Sequence, residues 1–348
     1  MDIQKTAILI NHYESHSAYS GETRYSGWAK RLITEGYCVY LICSSVLHSQ
    51  NIDILGRSEK YRIIKDNGIN YVYVKTSKYD SNSGKDRINN LFKFYFGVKQ
   101  LLPILPKPDF IIARSPNPLA CVIGIKYAKK IQVPCICDIV DLWPEAIVVY
   151  KKMSKNNPII RLLYSGEKWI YKNCNALIFS TPGAYDYILE HRWESVVPKE
   201  KVFYINMGID LKINDINRDK YSYEDPVFSR EDLYKVVYSG SVRLVNNLKL
   251  LCDAGKIIQD KGIDQIFIMI HGAGDQVDEL KQYCKDENIH NVKLYGRIQK
   301  QQIPYVLSHS DLCILCYQNT PLLRFGGSMN KMFDYFASGK PIIYNSRV

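Results

Sequence analysis

VFYINMGIDLKINDINRDKYSYEDPVFSREDLYKVVYSG, residues 202–240, decides how the chain is organised. It opens on an apolar run that closes in small residues. It then crosses a long polar stretch without helical or strand period, and restarts at Tyr234 with a second apolar run ending in Ser239-Gly240. A short apolar run bounded by turn residues reads as a buried strand. An aperiodic polar stretch between two such patterns reads as a connection between them. The expected organisation is therefore a first domain over 1–210, a linker over 211–233 and a second domain over 234–348.

Working outward, the same alternation holds on both sides. TAILI (6–10), YCVYLIC (37–43), INYVYV (69–74), DFIIA (109–113), VPCICDIV (133–140) and ALIFS (176–180) are strand-like. Between them, TRYSGWAKRLITEG (23–36), PLACVIGIKYAKKI (118–131) and PIIRLLYSGEKWIYK (158–172) repeat apolar residues at helical spacing. Downstream, DQIFIMIHG (264–272), NVKLYG (291–296) and DLCILCY (311–317) are again strand-like, with a helical pattern near 245–261. Strands alternating with helices predict parallel sheets covered on both faces. The fold class is thus α/β, with two Rossmann-like, doubly wound domains. Such domains bind ligands at the carboxyl ends of their strands, so two of them would face a cleft. A length of 348 residues suits two cores rather than one.

The net charge is +11, which favours anionic partners: nucleotide phosphates, nucleic acid or acidic lipid. The basic residues are dispersed and no nucleic-acid-binding motif is found, so a nucleic-acid module is not expected. Ten cysteines, among them Cys38, Cys43, Cys121, Cys135, Cys137 and Cys174, sit mostly in apolar runs, as small core residues of a reducing compartment do. Cys313 and Cys316 form a CxxC without a second pair or nearby histidines, so no metal is expected there. The start MDIQKTAILI has no basic leader region, and no apolar run reaches membrane-spanning length. A cytoplasmic protein is expected. Residues 89–107 (NNLFKFYFGVKQLLPILPK) and 151–172 (KKMSKNNPIIRLLYSGEKWIYK) mix aromatic and basic side chains. Such helices dock on anionic membrane faces, or else are solvated faces with their aromatics in the core.

Three loops join small residues to strand ends: Ser20-Gly21-Glu22-Thr23-Arg24, Ser239-Gly240-Ser241-Val242-Arg243 and His271-Gly272-Ala273-Gly274-Asp275. Glycine lets backbone N–H groups approach an anion closely. None completes a dinucleotide fingerprint or a Walker loop. A Ser-His-acid hydrolase would need a GxSxG elbow, which is missing. His12 and His16 follow a strand within a loop; they read as cleft lining or as unspecialised rather than as a helical metal pair.

Taken in order, several segments resemble one family. They are Arg24-Tyr25 with GYCVYLICSS (36–45), DIVDLWPEAIV (138–148), INMGIDL (205–211), VVYSGSV (236–242), HGAGDQVDEL (271–280), NVKLYGRI (291–298) and NKMFDYFASGKPII (330–343). The chain resembles the glycosyltransferases of family 4, of the GT-B fold, over nearly its whole length. The pattern is most similar to bacterial enzymes of capsule and O-antigen assembly, of the N-acetylfucosaminyltransferase type. The resemblance implies a retaining transferase that moves a sugar from a nucleotide-sugar, with uracil as the expected base, to a lipid-linked or saccharide acceptor, without a metal or other cofactor. No Asp-x-Asp sequence is present, in keeping with that. The first domain would hold the acceptor and the second the donor.

The resemblance also assigns residues. Asp334 would receive the ribose hydroxyls, which a carboxylate can accept in pairs. Lys331 and Arg243 would face the diphosphate beside Gly240 and Ser241; an arginine fork matches phosphate oxygens. Arg297 and Ile298 would contact the base. Gly21 and Arg24 would line the donor from the first loop. Asp141 or Glu145 would orient the sugar or serve the acceptor, with capping as the alternative. The helix around Lys331 also reads as a plain amphipathic helix with Phe333 and Phe336 inward. Four departures stand out. Counting back from Asp334, the family's first acid falls on Gly326, and the second is Asp for Glu. A customary lysine appears as Asn246, and a customary basic residue as Val140. Relatives run on beyond GKPII, whereas this sequence stops at Arg347-Val348, so the second domain is read as incomplete at its C-terminus. A truncated non-catalytic nucleotide binder and a GT-B nucleotide-sugar epimerase are the alternatives.

Overall fold

A computed structural model describes residues 5–21, 23–47, 52–79, 84–115 and 117–345. The chain divides into unit 1, Met1–Asn206 with Phe325–Gly327, and unit 2, Met207–Arg324 with Ser328–Val348. Glu22 of the first loop and the terminal Arg347-Val348 lie outside the described residues.

Unit 1 runs β1 (Thr6–Ile10), α1 (Arg24–Thr34), β2 (Cys38–Ser44), β3 (Tyr61–Asp66), β4 (Ile69–Val74), α2 (Lys85–Leu101), β5 (Phe110–Arg114), α3 (Pro118–Ile131), β6 (Cys135–Ile139), α4 (Trp143–Tyr150), α5 (Pro158–Asn173), β7 (Ala176–Phe179), α6 (Ala184–Glu190) and β8 (Val202–Tyr204). Its sheet order is β3-β4-β2-β1-β5-β6-β7-β8, parallel except for β3. The continuous apolar strands are buried on both faces, as parallel sheets require. Helix starts are fixed by short polar side chains. Thr23 and Ser26 form a reciprocal cap on α1, and Asn117 and Asn157 cap α3 and α5 just before a proline. The antiparallel β3–β4 hairpin turns at Asn67-Gly68, both at positive φ. The sequence reading passes over β3 because its side chains alternate on an exposed edge rather than forming an apolar run.

Unit 2 runs α7 (Leu211–Lys220), β9 (Tyr234–Ser239), α8 (Lys249–Asp260), β10 (Ile266–His271), α9 (Val277–Asp286), β11 (Val292–Gly296), α10 (Ile303–Ser308), β12 (Leu312–Leu315), α11 (Asn330–Ser338) and β13 (Ile342–Tyr344). Its wholly parallel sheet has the order β11-β10-β9-β12-β13. One face buries Tyr238, Leu251 and Ile270, the other Met269, Leu307 and Tyr335. The two sheets are the two Rossmann-like domains expected.

Two expectations are corrected. The linker 211–233 is part of unit 2 and begins with α7, which Asp210 caps through its bond from the Ile213 N–H. α7 packs on α10. Its polar composition hid it, because the helix buries only Asn214 fully. The C-terminal part of the sequence is also not confined to unit 2. Phe325 is fully buried in the unit 1 core against Tyr187, and its carbonyl accepts the Gly183 N–H at 2.8 Å.

Candidate functional site

The site is built at the carboxyl ends of β9 and β10. Gly240 N–H donates to His271 O at 2.9 Å, Val242 N–H to Ala273 O at 2.9 Å and Gly272 N–H to Gly296 O at 2.7 Å. Three strand-end loops are thereby laced together. A Cβ on Gly272 would lie 1.8 Å from Gly240 O, and one on Gly274 1.9 Å from Val242 O. These glycines permit loop-to-loop packing, which accounts for them without a ligand. Gly240 differs: a Cβ there would meet the Lys331 ammonium at 2.9 Å.

α11 brings its polar side chains to this edge through Tyr335. The Tyr335 hydroxyl is buried and accepts the Ser239 N–H at 2.8 Å, tying the helix to the last residue of β9. Tyr335, not Phe336, faces inward; Phe336 is exposed and Phe333 half-buried, so the amphipathic reading of this helix is corrected. Lys331 donates to the Tyr238 hydroxyl at 2.7 Å and to Asn246 Oδ1 at 2.9 Å. Burial brings its ammonium down to about 8. Asp334, one turn on, makes no hydrogen bond or ion pair among the described residues. Burial raises its carboxyl, with Lys300 opposing. The lysine and acid that adjoin in sequence thus differ in their surroundings: Lys331 lies under the Gly240 turn, hydrogen-bonded to Tyr238 and Asn246, while the acceptor oxygens of Asp334 are not engaged among the described residues.

Ser241 and Arg243 are exposed in the same loop, and Arg243 has no ion pair among the described residues. Arg297 is exposed just after Gly296, the register partner of His271, and Ile298 packs on the α10–α11 face. Gly240, Ser241, Lys331, Asp334, Arg243, Arg297 and Ile298 all belong to unit 2. This edge combines backbone turns, cations and an unengaged carboxylate, a set suited to a phosphorylated, hydroxyl-bearing ligand.

The candidates in unit 1 fare differently. Gly21 is exposed in the loop leading into α1. Arg24 is corrected to an internal tie: it donates to Asn206 O at 2.5 Å, Ile205 O at 3.0 Å and Asp138 Oδ1 at 3.2 Å, with Trp28 under its guanidinium. Glu145 is corrected to a structural brace. It is buried, accepts from the Tyr164 hydroxyl and pairs with Lys155 at 2.9 Å and His191 at 3.6 Å. Burial alone would raise its carboxyl, but those donors hold it down to about 2. Its partners leave it no open face for a ligand. Asp141 meets solvent in the turn before α4; dense surroundings raise its carboxyl and the Arg114 guanidinium partly opposes this. His12 is buried against Asn117, and the half-buried His16 bonds Tyr73. Cys313 and Cys316 are buried thiols raised by desolvation.

Two contributors escaped the sequence reading, Tyr238 and Tyr335, and Asn246 stands out there only as a departure from a customary lysine. Tyr238 and Tyr335 look like ordinary strand and helix residues, and only the meeting of β9, α11 and the loop between β9 and α8 gives the three a common place.

The comparisons bear on this edge directly. Residues 220–344 match the family of glycosyl transferases group 1. The match covers the strand-end loops, α10 and α11. No curated protein matches the chain. Among solved structures, it is similar to the sucrose-phosphate synthase of Thermosynechococcus elongatus, at 16% identity and TM-score 0.68 over 98% of this chain and 81% of the other. It is similar to HepE of Anabaena in complex with UDP, at 14% identity and TM-score 0.61 over 98% and 80%. WaaG, a glycosyltransferase involved in lipopolysaccharide biosynthesis, matches at 11% identity and TM-score 0.61 over 97% and 80%. Likenesses this distant establish the fold, that of the GT-B glycosyltransferases.

Proposed function

We propose that this chain is a retaining glycosyltransferase whose unit 2 binds a UDP-linked sugar. The observation that carries the reading is a coincidence of position: the family match spans the loops and helix that assemble Gly240, Ser241, Lys331 and Asp334. Arg243 and Lys331 would stabilise the charge that develops on the departing diphosphate, the main electrostatic demand of sugar transfer. Asp334 would accept the ribose hydroxyls, and Arg297-Ile298 would meet the base. Asp141 is the unit 1 acid best placed to orient a sugar or acceptor, being open to solvent. HepE has been solved with UDP and with UDP-glucose, which supports uracil as the base. WaaG's role in lipopolysaccharide biosynthesis supports a surface saccharide, of the capsule or O-antigen kind, as the product. The acceptor would then be lipid-linked or a saccharide, reached at the cytoplasmic face of a membrane. No metal is required in this scheme.

Calorimetric titration with UDP, GDP and ADP, without metal, tests the donor site. The expected result is preferential UDP binding, weakened at least about ten-fold in Arg243→Ala, as loss of one or more charge-assisted bonds implies, and similarly in Asp334→Ala. A folded protein indifferent to all three nucleotides would remove the reading.

A further inference from the structure

Lys331 is held by more than its helix. Two of its three N–H groups are directed, one to the Tyr238 hydroxyl and one to Asn246 Oδ1, and the third meets no acceptor among the described residues. Tyr238 passes its own hydrogen to Ser241 O at 2.8 Å. The Asn246 amide nitrogen donates to Ser241 Oγ at 2.9 Å, which fixes the side chain with its carbonyl toward Lys331. Asn246 and Tyr238 are both buried, so the clamp is built into the core beneath the Gly240 turn.

We propose that Asn246 is a positioning residue: with Tyr238 it holds the Lys331 ammonium at the Gly240 turn, so that the charge of Lys331 sets how tightly a nucleoside diphosphate binds. This rests on the nucleotide reading above and adds a regulator to that site. A lysine at 246 would place a second ammonium at contact distance from the first. The amide instead supplies a neutral acceptor, and the site keeps one adjustable cation.

The groups around that cation are few. Tyr238 faces it from β9, its hydroxyl raised far above the ordinary value by burial. Cys316 faces it from beyond β12 as a thiol raised to about 11 by burial. Asp334 and Tyr335 share its helix, and Arg243 lies exposed in the loop that carries Asn246. Tyr238 and Cys316, the groups that face the ammonium, are uncharged at neutral pH, and burial places Lys331 itself at about 8. The sign follows. The lysine is cationic below that value, an anionic ligand favours the cation, and affinity is lost as pH rises through it. One coupled proton changes affinity by at most about ten-fold per pH unit.

The test is UDP binding by calorimetry from pH 7 to 9.5, where the terminal phosphate, with a second pKa of about 6, stays ionised. The wild-type dissociation constant should be flat near pH 7 and weaken above about 8. Asn246→Asp places a carboxylate on Lys331 and should move the onset of weakening upward by about one unit, since an adjacent opposite charge favours the cation. Tyr238→Phe removes the other acceptor and should move it downward, so either variant decides if the other fails to fold. Lys331→Met should bind weakly and without this pH dependence. A wild type flat to pH 9.5, or an onset shared by all three titrating proteins, overturns the proposal. Absence of UDP binding at every pH removes the nucleotide reading itself and this proposal with it. Persistent binding tells the other failures apart from that one.

Discussion

Glu167 holds its carboxyl in the unit 1 core between the hydroxyls of Tyr171 and Tyr187, each at 2.7 Å. Burial raises it to about 7, the two phenol donors oppose, and the charge of Glu145 adds to the rise. The unfolded value is near 4.3. Between these values the folded state binds the extra proton. Stability is therefore highest below the unfolded value and is lost as pH rises through about 7. That difference corresponds to roughly 4 kcal/mol at most, at about 1.4 kcal/mol per pH unit. Glu167→Gln keeps an acceptor for the tyrosines and removes the titration. Its melting temperature relative to wild type should improve from pH 5 to about 7.5 and level off above that. A constant difference across that range would show that Glu167 does not titrate on folding. The site residues divide in the same local terms: Arg243 and Asp334 make no side-chain hydrogen bond or ion pair among the described residues, whereas Glu145 and the terminal nitrogens of Arg24 bond inside unit 1.

At the scale of elements, two helices approach their sheets through a glycine. In α2, a Cβ on Gly97 would lie 2.2 Å from Val74 Cγ1; in α8, one on Gly255 would lie 2.2 Å from Val292 Cγ2. Alanine is the better helix former by about 1 kcal/mol. A valine methyl at that distance on a stiff β-branched side chain must move, and overpacking costs about 1–3 kcal/mol. Packing wins, so Gly255→Ala should lower the denaturation midpoint of the protein despite its helix preference; a raised midpoint would reverse that ranking. The same scale explains what the sequence discloses. β1, β4 and α3 are legible almost to the residue, because a strand buried on both faces is an apolar run and α3 opens on Asn-Pro. β3 and α7 are not, because an edge strand and a polar helix bury too little to leave a period. The glycine loops are legible as loops. That Gly272 and Gly274 serve neighbouring backbone rather than a ligand depends on contacts between strands far apart in sequence.

The whole molecule carries a net charge of +11, and the surface shows where part of that charge meets exposed apolar groups. On α2, Ile88, Phe92 and Phe96 recur every four residues and are about half exposed, at 55%, 48% and 53%, with Lys85, Lys93 and Lys99 exposed on the same helix. Phe94 and Val98 supply its buried face instead. The aromatic segment read as 89–107 is therefore helical only to Leu101, and its rings divide between core and solvent. α5 repeats the arrangement with Ile159, Leu162 and Trp169 beside Arg161 and Lys172. Among the described residues no helix is long and apolar enough to cross a membrane. An interfacial mode is the one such faces suit: shallow insertion of rings, with lysines over anionic headgroups. The protein should co-sediment with vesicles containing phosphatidylglycerol, less well as salt is raised, and poorly with phosphatidylcholine alone. Burying an exposed phenylalanine is worth about 2 kcal/mol when complete. Phe92→Ser with Phe96→Ser should therefore weaken vesicle binding by about ten-fold or more, even for partial insertion. The circular-dichroism spectrum and melting temperature of the double variant should match wild type, since both rings are about half exposed. Equal binding of wild type and the double variant would move the contact off α2, and indifference to headgroup charge would remove the electrostatic half of the mechanism.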